Sequence, residues 1–181
     1  CCLHGIDMCG IKPGSSVAVI GGGMIGLLML QLARLAGAAR IALIEPVENK
    51  RDVALKLGAD LVIDPIHEDV EKKLKENGMT WLNAVIECVG RPETISQAIS
   101  IVGNTGVVMM FGLTKPDETV SIKPFEIFQK EIVLKASYIN PYTQKRALEL
   151  IDSGRLDVSS MICQVCGLDS LEDILSDPSV R

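Results

Sequence analysis

Aromatic side chains are almost missing. One Trp, two Tyr and three Phe make up 3% of the 181 residues. The core must therefore be aliphatic, built from the Ile, Leu, Val and Ala that fill parallel strands buried on both faces. Excess positive charge is missing too. The net charge is −5 and the basic residues are scattered, so there is no basic patch of the kind nucleic-acid phosphates require. A membrane span needs roughly 18 uncharged apolar residues in a row. The longest apolar run, Met24–Leu30 with Leu32 and Ala33, is broken by Gln31 and Arg34. Neither a nucleic acid nor a membrane is expected as a partner.

Histidine is scarce as well. His4 and His67 are the only two, and neither has the clustered spacing of a metal site. His67 lies in the polar Pro65–Asp69 loop and reads as solvated. The chain opens on Cys1-Cys2-Leu3-His4-Gly5, with neither an initiator Met nor a secretory pattern, and reads as a piece of a longer protein. Six cysteines, at 1, 2, 9, 88, 163 and 166, are spread too unevenly for a disulfide framework. Free thiols and a reducing cytoplasm are expected. Cys88 lies in an apolar segment and reads as a core thiol. Cys163-Gln-Val-Cys166 has C-x-x-C spacing. However, no second such pair exists to complete a zinc site, and the pair does not open a helix as a redox pair does. It reads as incidental.

What is present is a regular alternation. Apolar residues make up 48% of a chain long enough for one domain with a real core. Strand-length runs at Val17–Ile20, Ile41–Ile44, Leu61–Ile63, Ala84–Glu87, Val107–Phe111 and Ile132–Ser137 alternate with helical segments. These segments are Met24–Ala36, Glu48–Leu57, Glu68–Glu76, Glu93–Ile101, a short one near Phe125–Gln129, and Tyr142–Ser153. Gly58 ends one of them where a left-handed residue favours glycine. This order predicts an α/β fold: a doubly wound parallel sheet of six strands with helices on both faces. The tail offers a possible strand at Met161–Val165 and a short helix at Leu171–Leu175. The expected core is about 12–154, with 1–11 and 155–181 as junction segments.

Gly21-Gly22-Gly23-Met24-Ile25-Gly26 fits G-x-G-x-x-G. The pattern alone is weak, but here it follows a strand directly and opens a helix. Gly21 allows the tight turn, Gly23 lets the backbone approach a pyrophosphate, and Gly26 lets helix and strand pack closely. The helix N-terminus offers N–H groups and a positive dipole end to phosphates. Glu45 ends the second strand about 20 residues on, where an acidic side chain takes ribose hydroxyls. A carboxylate there repels a 2′-phosphate, which favours NAD over NADP. Lys50 and Arg51 partly offset that repulsion, or form a solvated helix face. The alternatives are a ligand-free glycine turn and an exposed strand-end charge.

Five segments in order then carry a resemblance. They are Val17-Ala-Val-Ile-Gly-Gly-Gly-Met-Ile-Gly26, Ala54-Leu-Lys-Leu-Gly-Ala-Asp60, Asn83-Ala-Val-Ile-Glu-Cys-Val-Gly90, Gly106-Val-Val-Met-Met-Phe-Gly112 and Ser137-Tyr-Ile-Asn-Pro-Tyr-Thr143. Together they resemble the coenzyme domain, an NAD(P)-binding Rossmann fold, of the medium-chain, zinc-dependent alcohol dehydrogenases. The similarity is greatest to the sorbitol (polyol) and threonine dehydrogenase branch.

The resemblance implies further positions. Glu45 and Lys50 would hold the adenosine ribose. Cys88, Val89, Gly90 and Arg91 would form the turn over the cofactor's ribose. Phe111, Gly112 and Leu113 would lie beside the nicotinamide, with Tyr138 and Ile139 as a second main-chain contact and Ile25 as the apolar residue behind the ring. Met24 belongs to the same phosphate-binding loop. For the side chains of Phe111, Leu113 and Ile139 the alternative is core packing. The resemblance also implies a homo-oligomer joined through the last strand of the sheet. It implies a small alcohol or polyol substrate, with hydride passing to NAD. Catalytic residues and zinc ligands would lie outside this chain. Two other readings stay open. One is a zinc-free, NADP-dependent quinone reductase of the same superfamily. The other is a non-catalytic NAD(H) sensor, which would need an added effector segment.

Overall fold

The computed structural model describes residues 1–162 and 164–176. Six strands form one sheet: β1 (Ser16–Ile20), β2 (Arg40–Ile44), β3 (Leu61–Ile63), β4 (Ala84–Glu87), β5 (Val107–Met110) and β6 (Val133–Ala136). All pairings are parallel, and the spatial order is β3-β2-β1-β4-β5-β6. The direction of winding reverses between β1 and β4. In an open parallel sheet, that reversal leaves a crevice at the carboxyl ends of the two strands.

The helices are α1 (Cys2–Cys9), α2 (Met24–Leu35), α3 (Glu48–Lys56), α4 (Val70–Glu76), α5 (Pro92–Ile101), α6 (Pro124–Lys130), α7 (Gln144–Asp152) and α8 (Leu171–Ser176). Alternation along the strands explains where they pack, since successive side chains face opposite sides of a sheet. Val17, Val19, Ile41, Leu43, Ala84, Ile86 and Met109 face one side, with Leu3 and Ile6 of α1, Met29 and Leu30 of α2, and Ala54 of α3. Ala18, Ile20, Ala42, Ile44, Val85 and Val108 face the other, with Val70 and Leu74 of α4 and Ala98 and Ile101 of α5. Both faces are covered, so the strands show continuous burial. Each fully buried Leu, Ile or Val contributes about 1.5–3 kcal/mol. Among the described residues, β6 pairs only with β5, and it is partly exposed.

The expected strands and helices are all present up to residue 153, with ends shifted by a few residues. α4 starts at Val70, not Glu68, because the Asp69 carboxylate caps it by accepting the Lys72 N–H at 2.9 Å. The Glu68 carboxylate is turned back to accept the Asp64 N–H. α7 starts at Gln144, because Tyr142 holds a left-handed φ of 57°. Gly58 has φ 101°, the left-handed stop after α3. The strand expected at Met161–Val165 does not form. Ser159–Met161 is a 3₁₀ turn and 162, 164 and 165 carry no regular structure; Cys163 lies outside the described residues. The Asp157 carboxylate accepts N–H groups from Ser159 and Ser160, so side-chain bonds take the backbone out of the sheet direction. α1 was not legible in the sequence. Its Cys2, Leu3, Ile6 and Cys9 are buried in the first core, and Arg146 of α7 pairs with Asp7.

Candidate functional site

The carboxyl ends of β1, β2, β4 and β5 bring four loops together. β1 runs into Gly21, whose φ is 98° and whose N–H donates to the Ile44 carbonyl at 2.9 Å. The turn is tight because other atoms crowd it. A Cβ on Gly21 would lie 2.8 Å from Val89 Cγ2. A Cβ on Gly26 would overlap the Gly21 carbonyl oxygen, so α2 can lie against β1 only with glycine there.

Gly23 is different. Its φ is −71°, which any residue adopts, and a Cβ would meet nothing within 4 Å. No internal contact requires glycine at this position. It is also the N-cap of α2, and no side chain caps that helix. The first-turn N–H groups and the positive end of the helix dipole therefore face an open approach, a combination that suits an anion. Met24 beside it is exposed and Ile25 half-buried.

Glu45 is 5% exposed. Its Oε2 accepts the Gly22 N–H at 2.6 Å, and its Oε1 accepts the Val47 N–H at 2.9 Å. The side chain packs so closely on the loop that a Cβ on Gly22 would lie 2.9 Å from Glu45 Cγ. Arg51 does not point to a ligand. Its guanidinium donates to the Glu45 and Pro46 carbonyls at 2.8 and 2.7 Å and pairs with Asp64 at 3.2 Å. It braces the loop after β2. Lys50, one residue before it on α3, is half-buried.

On the other side of the crevice, β4 ends in Glu87, which is 0% exposed. Its Oε1 accepts the Val89 N–H at 2.7 Å, the Gly90 N–H at 2.9 Å and the Thr94 hydroxyl at 2.8 Å. Among the described residues, its Oε2 has no hydrogen-bond partner. A buried acceptor left unmatched costs about 1–3 kcal/mol, more for a charged group. In the sequence Glu87 shows only as the end of a strand. The signal was available: a single carboxylate closing the apolar run Ala84-Val85-Ile86.

The same turn carries Cys88, Val89 and Arg91. The Cys88 thiol is half-buried, and burial, followed by the neighbouring Glu87 charge, pushes it well above the usual thiol range. Val89 and Arg91 are exposed. The turn meets the end of β5 at two glycines. A Cβ on Gly90 would lie 2.5 Å from the Leu113 carbonyl oxygen, and one on Gly112 would overlap the Gly90 N–H.

Phe111 points inward, since a Cβ on Gly5 of α1 would lie 2.9 Å from its ring. Its side chain is thus core packing. Leu113 is 95% exposed. Tyr138 and Ile139, after β6, are exposed, and Ile139 holds a left-handed φ of 59°, an outlier for a β-branched residue. No described contact brings these two against the glycine loop. His67 Nδ1 pairs with Asp64 at 3.0 Å, and His4 lies half-buried in α1. Among the described residues, no three His, Cys, Asp or Glu side chains are grouped to hold a metal. No helix there is long and apolar enough to cross a membrane.

Comparison with known proteins adds to this geometry. Residues 24–153 match the family model described as zinc-binding dehydrogenase. D-arabinitol dehydrogenase 1 of Uromyces fabae is 30% identical over 185 residues, covering 100% of this chain and 53% of that protein. An L-threonine 3-dehydrogenase of Caldanaerobacter subterraneus is 37% identical over 134 residues, covering 74% of this chain and 37% of that protein. Among solved structures, one from Sinorhizobium meliloti 1021, described as a zinc-binding dehydrogenase bound to NADP, is 40% identical. It has a TM-score of 0.94 and covers 98% of this chain and 53% of that one. An alcohol dehydrogenase from Thermus sp. ATN1 is 25% identical with a TM-score of 0.89, over 95% of this chain and 51% of that one. The chain spans about half the length of the first of these relatives.

Proposed function

The chain belongs to the zinc-binding dehydrogenase family, and we propose that it is the NAD-binding part of an alcohol or polyol dehydrogenase. The observation that carries this reading is Gly23. Its glycine answers no need of the protein's own packing, yet it stands at the uncapped start of α2, at the crevice where the sheet reverses. A pyrophosphate passing close to the backbone accounts for it.

In this reading, Gly21, Gly23, Met24 and Gly26 serve the pyrophosphate, and Glu45 and Lys50 the adenosine ribose. Cys88, Val89 and Arg91 flank the second ribose. Ile25 and the main chain of Phe111, Gly112, Leu113, Tyr138 and Ile139 serve the nicotinamide. The strain at Ile139, about 1–3 kcal/mol for a left-handed non-glycine residue, supports a positional demand there. When bound, the dinucleotide supplies the hydride acceptor at its nicotinamide ring. This chain binds it, orients it and forms one wall of the cleft. Residues 12–154 form the core of this unit, α1 packs on it through Cys2, Leu3, Ile6 and Cys9, and a further part of the protein carries the substrate chemistry and the zinc.

NAD is favoured because a 2′-phosphate would face the Glu45 carboxylate, and because Arg51 is already committed to Asp64 and two carbonyls. The second reading, NADP, draws on the Sinorhizobium meliloti relative, which is bound to NADP. An oligomer through β6 is supported by that unpaired edge and by Phe125 and Phe128 of α6, 71% and 79% exposed. A reducing cytoplasm suits the five free cysteines among the described residues. The test is turnover. With NAD and secondary alcohols or polyols, the 181-residue chain should form no NADH, and the whole protein containing it should. Alcohol oxidation by the chain alone would contradict the division of labour.

A further inference from the structure

We infer that Glu87 is a positioning residue for the nicotinamide half of the dinucleotide. The inference rests on the dinucleotide reading above and extends it to a residue that reading leaves out. Two buried carboxylates stand at the crevice, one on each side. Glu45 is matched at both oxygens. Glu87 is matched at one. Three donors converge on its Oε1, and all three come from the β4–α5 turn and the first turn of α5: the Val89 N–H, the Gly90 N–H and the Thr94 hydroxyl.

Thr94 extends the hold. With its one proton given to Glu87, its hydroxyl oxygen accepts the Arg91 N–H at 3.3 Å. The carboxylate thus shapes residues 88–91 into one conformation. Its other oxygen, Oε2, is enclosed and unmatched. It faces the end of β5, where a Cβ on Gly112 would lie 2.8 Å away. Gly112 in turn donates its N–H to the Glu87 main-chain carbonyl at 2.9 Å. One residue therefore meets both loops on the far side of the crevice from Glu45, its side chain holding the β4–α5 turn and its main chain the end of β5.

A brace serving the fold alone has no need of a charge with an idle oxygen in a fully enclosed place, since a buried charge is costly. A charge is useful where main-chain groups must be held stiffly, because bonds to an ionised acceptor are about twice as strong as neutral ones. The turn so held is the one that the dinucleotide reading gives to the second ribose, and it packs against the β5 end that the same reading gives to the ring. The adenosine half is held separately, by the glycine loop and Glu45.

The test compares two ligands on the same chain, NADH and ADP, which lacks both the second ribose and the nicotinamide. Binding is measured by calorimetry for the wild type, Glu87→Gln and Thr94→Val, with a thermal melt of each. Glu87→Gln keeps an acceptor and loses the charge; Thr94→Val removes one donor and keeps the shape. Glu87→Gln should weaken NADH about tenfold and leave ADP within about twofold. Thr94→Val should show the same split, smaller, and provides the reading if Glu87→Gln fails to fold. An equal loss for both ligands, or no loss for either, overturns the inference while the dinucleotide reading stands. A wild-type chain that binds neither ligand overturns both.

Discussion

The carboxylate of Glu45 accepts the Gly22 N–H at 2.6 Å, tying the end of β2 to the loop that follows β1. The acidic residue and the glycine loop are thus one structural unit before any ligand arrives. This preorganisation bears on cofactor choice. The chain should bind NAD more tightly than NADP, and Glu45→Ser should narrow that difference by about tenfold, the effect of removing one charge repulsion of about 1.4 kcal/mol. Competitive displacement of NADH by the two oxidised cofactors measures it. An NADP preference in the wild type would favour the second reading.

The glycines of the loop should separate into two kinds. Gly26→Ala places a methyl group on the Gly21 carbonyl and should destabilise the fold by about 1–3 kcal/mol, as overpacking does. Gly23→Ala meets open space and should change stability by no more than about 1 kcal/mol. It should nevertheless weaken NADH binding about tenfold or more, since the methyl group stands in the phosphate approach. Thermal melts and binding curves on the two variants check both halves.

Thiol reactivity should follow burial. Cys1 and Cys166 are exposed. Burial pushes the Cys9 thiol up to about 12, and Cys2 and Cys88 are also raised. In the native chain near pH 8, a thiol reagent should label Cys1 and Cys166 well before Cys2, Cys9 and Cys88, which peptide mapping would read. The raised Cys9 value also sets an alkaline limit. Between about pH 9 and pH 12 the unfolded chain has lost this proton and the folded chain has kept it. Stability present below pH 9 is therefore lost as pH rises through that window. Cys9→Ala should flatten the loss in denaturant titrations at pH 8, 9 and 10.

The β6 edge should mediate self-association. Replacing Phe128 and Val133 with Asp puts two charges at the open edge of the sheet, a device that blocks edge pairing. The wild type should sediment as a dimer and the double variant as a monomer. A monomeric wild type would remove the oligomer proposal.

Much of this was legible from periodicity. Apolar runs such as Val17–Ile20 and Ile41–Ile44 could belong only to strands covered on both sides, and the glycine loop stood where a strand gave way to a helix. Other parts depend on long-range partners that a sequence does not display. α1 reads as a short mixed segment until its Leu3 and Ile6 find the sheet. Arg51 looks like one more helix charge until it meets Asp64 and the Glu45 and Pro46 carbonyls. Met161–Val165 has strand composition, but Asp157 captures the backbone before it. Glu87 ends a strand as unremarkably as Glu45 does, and only burial and bonding separate their roles.

The most direct measurement is a calorimetric titration of NADH into the 181-residue chain. NADH should bind saturably, one per chain, and binding should be abolished or much weakened in Gly23→Ala while that variant melts like the wild type. A folded wild-type chain that releases no heat of binding and does not change its melting temperature with NADH would contradict the dinucleotide reading.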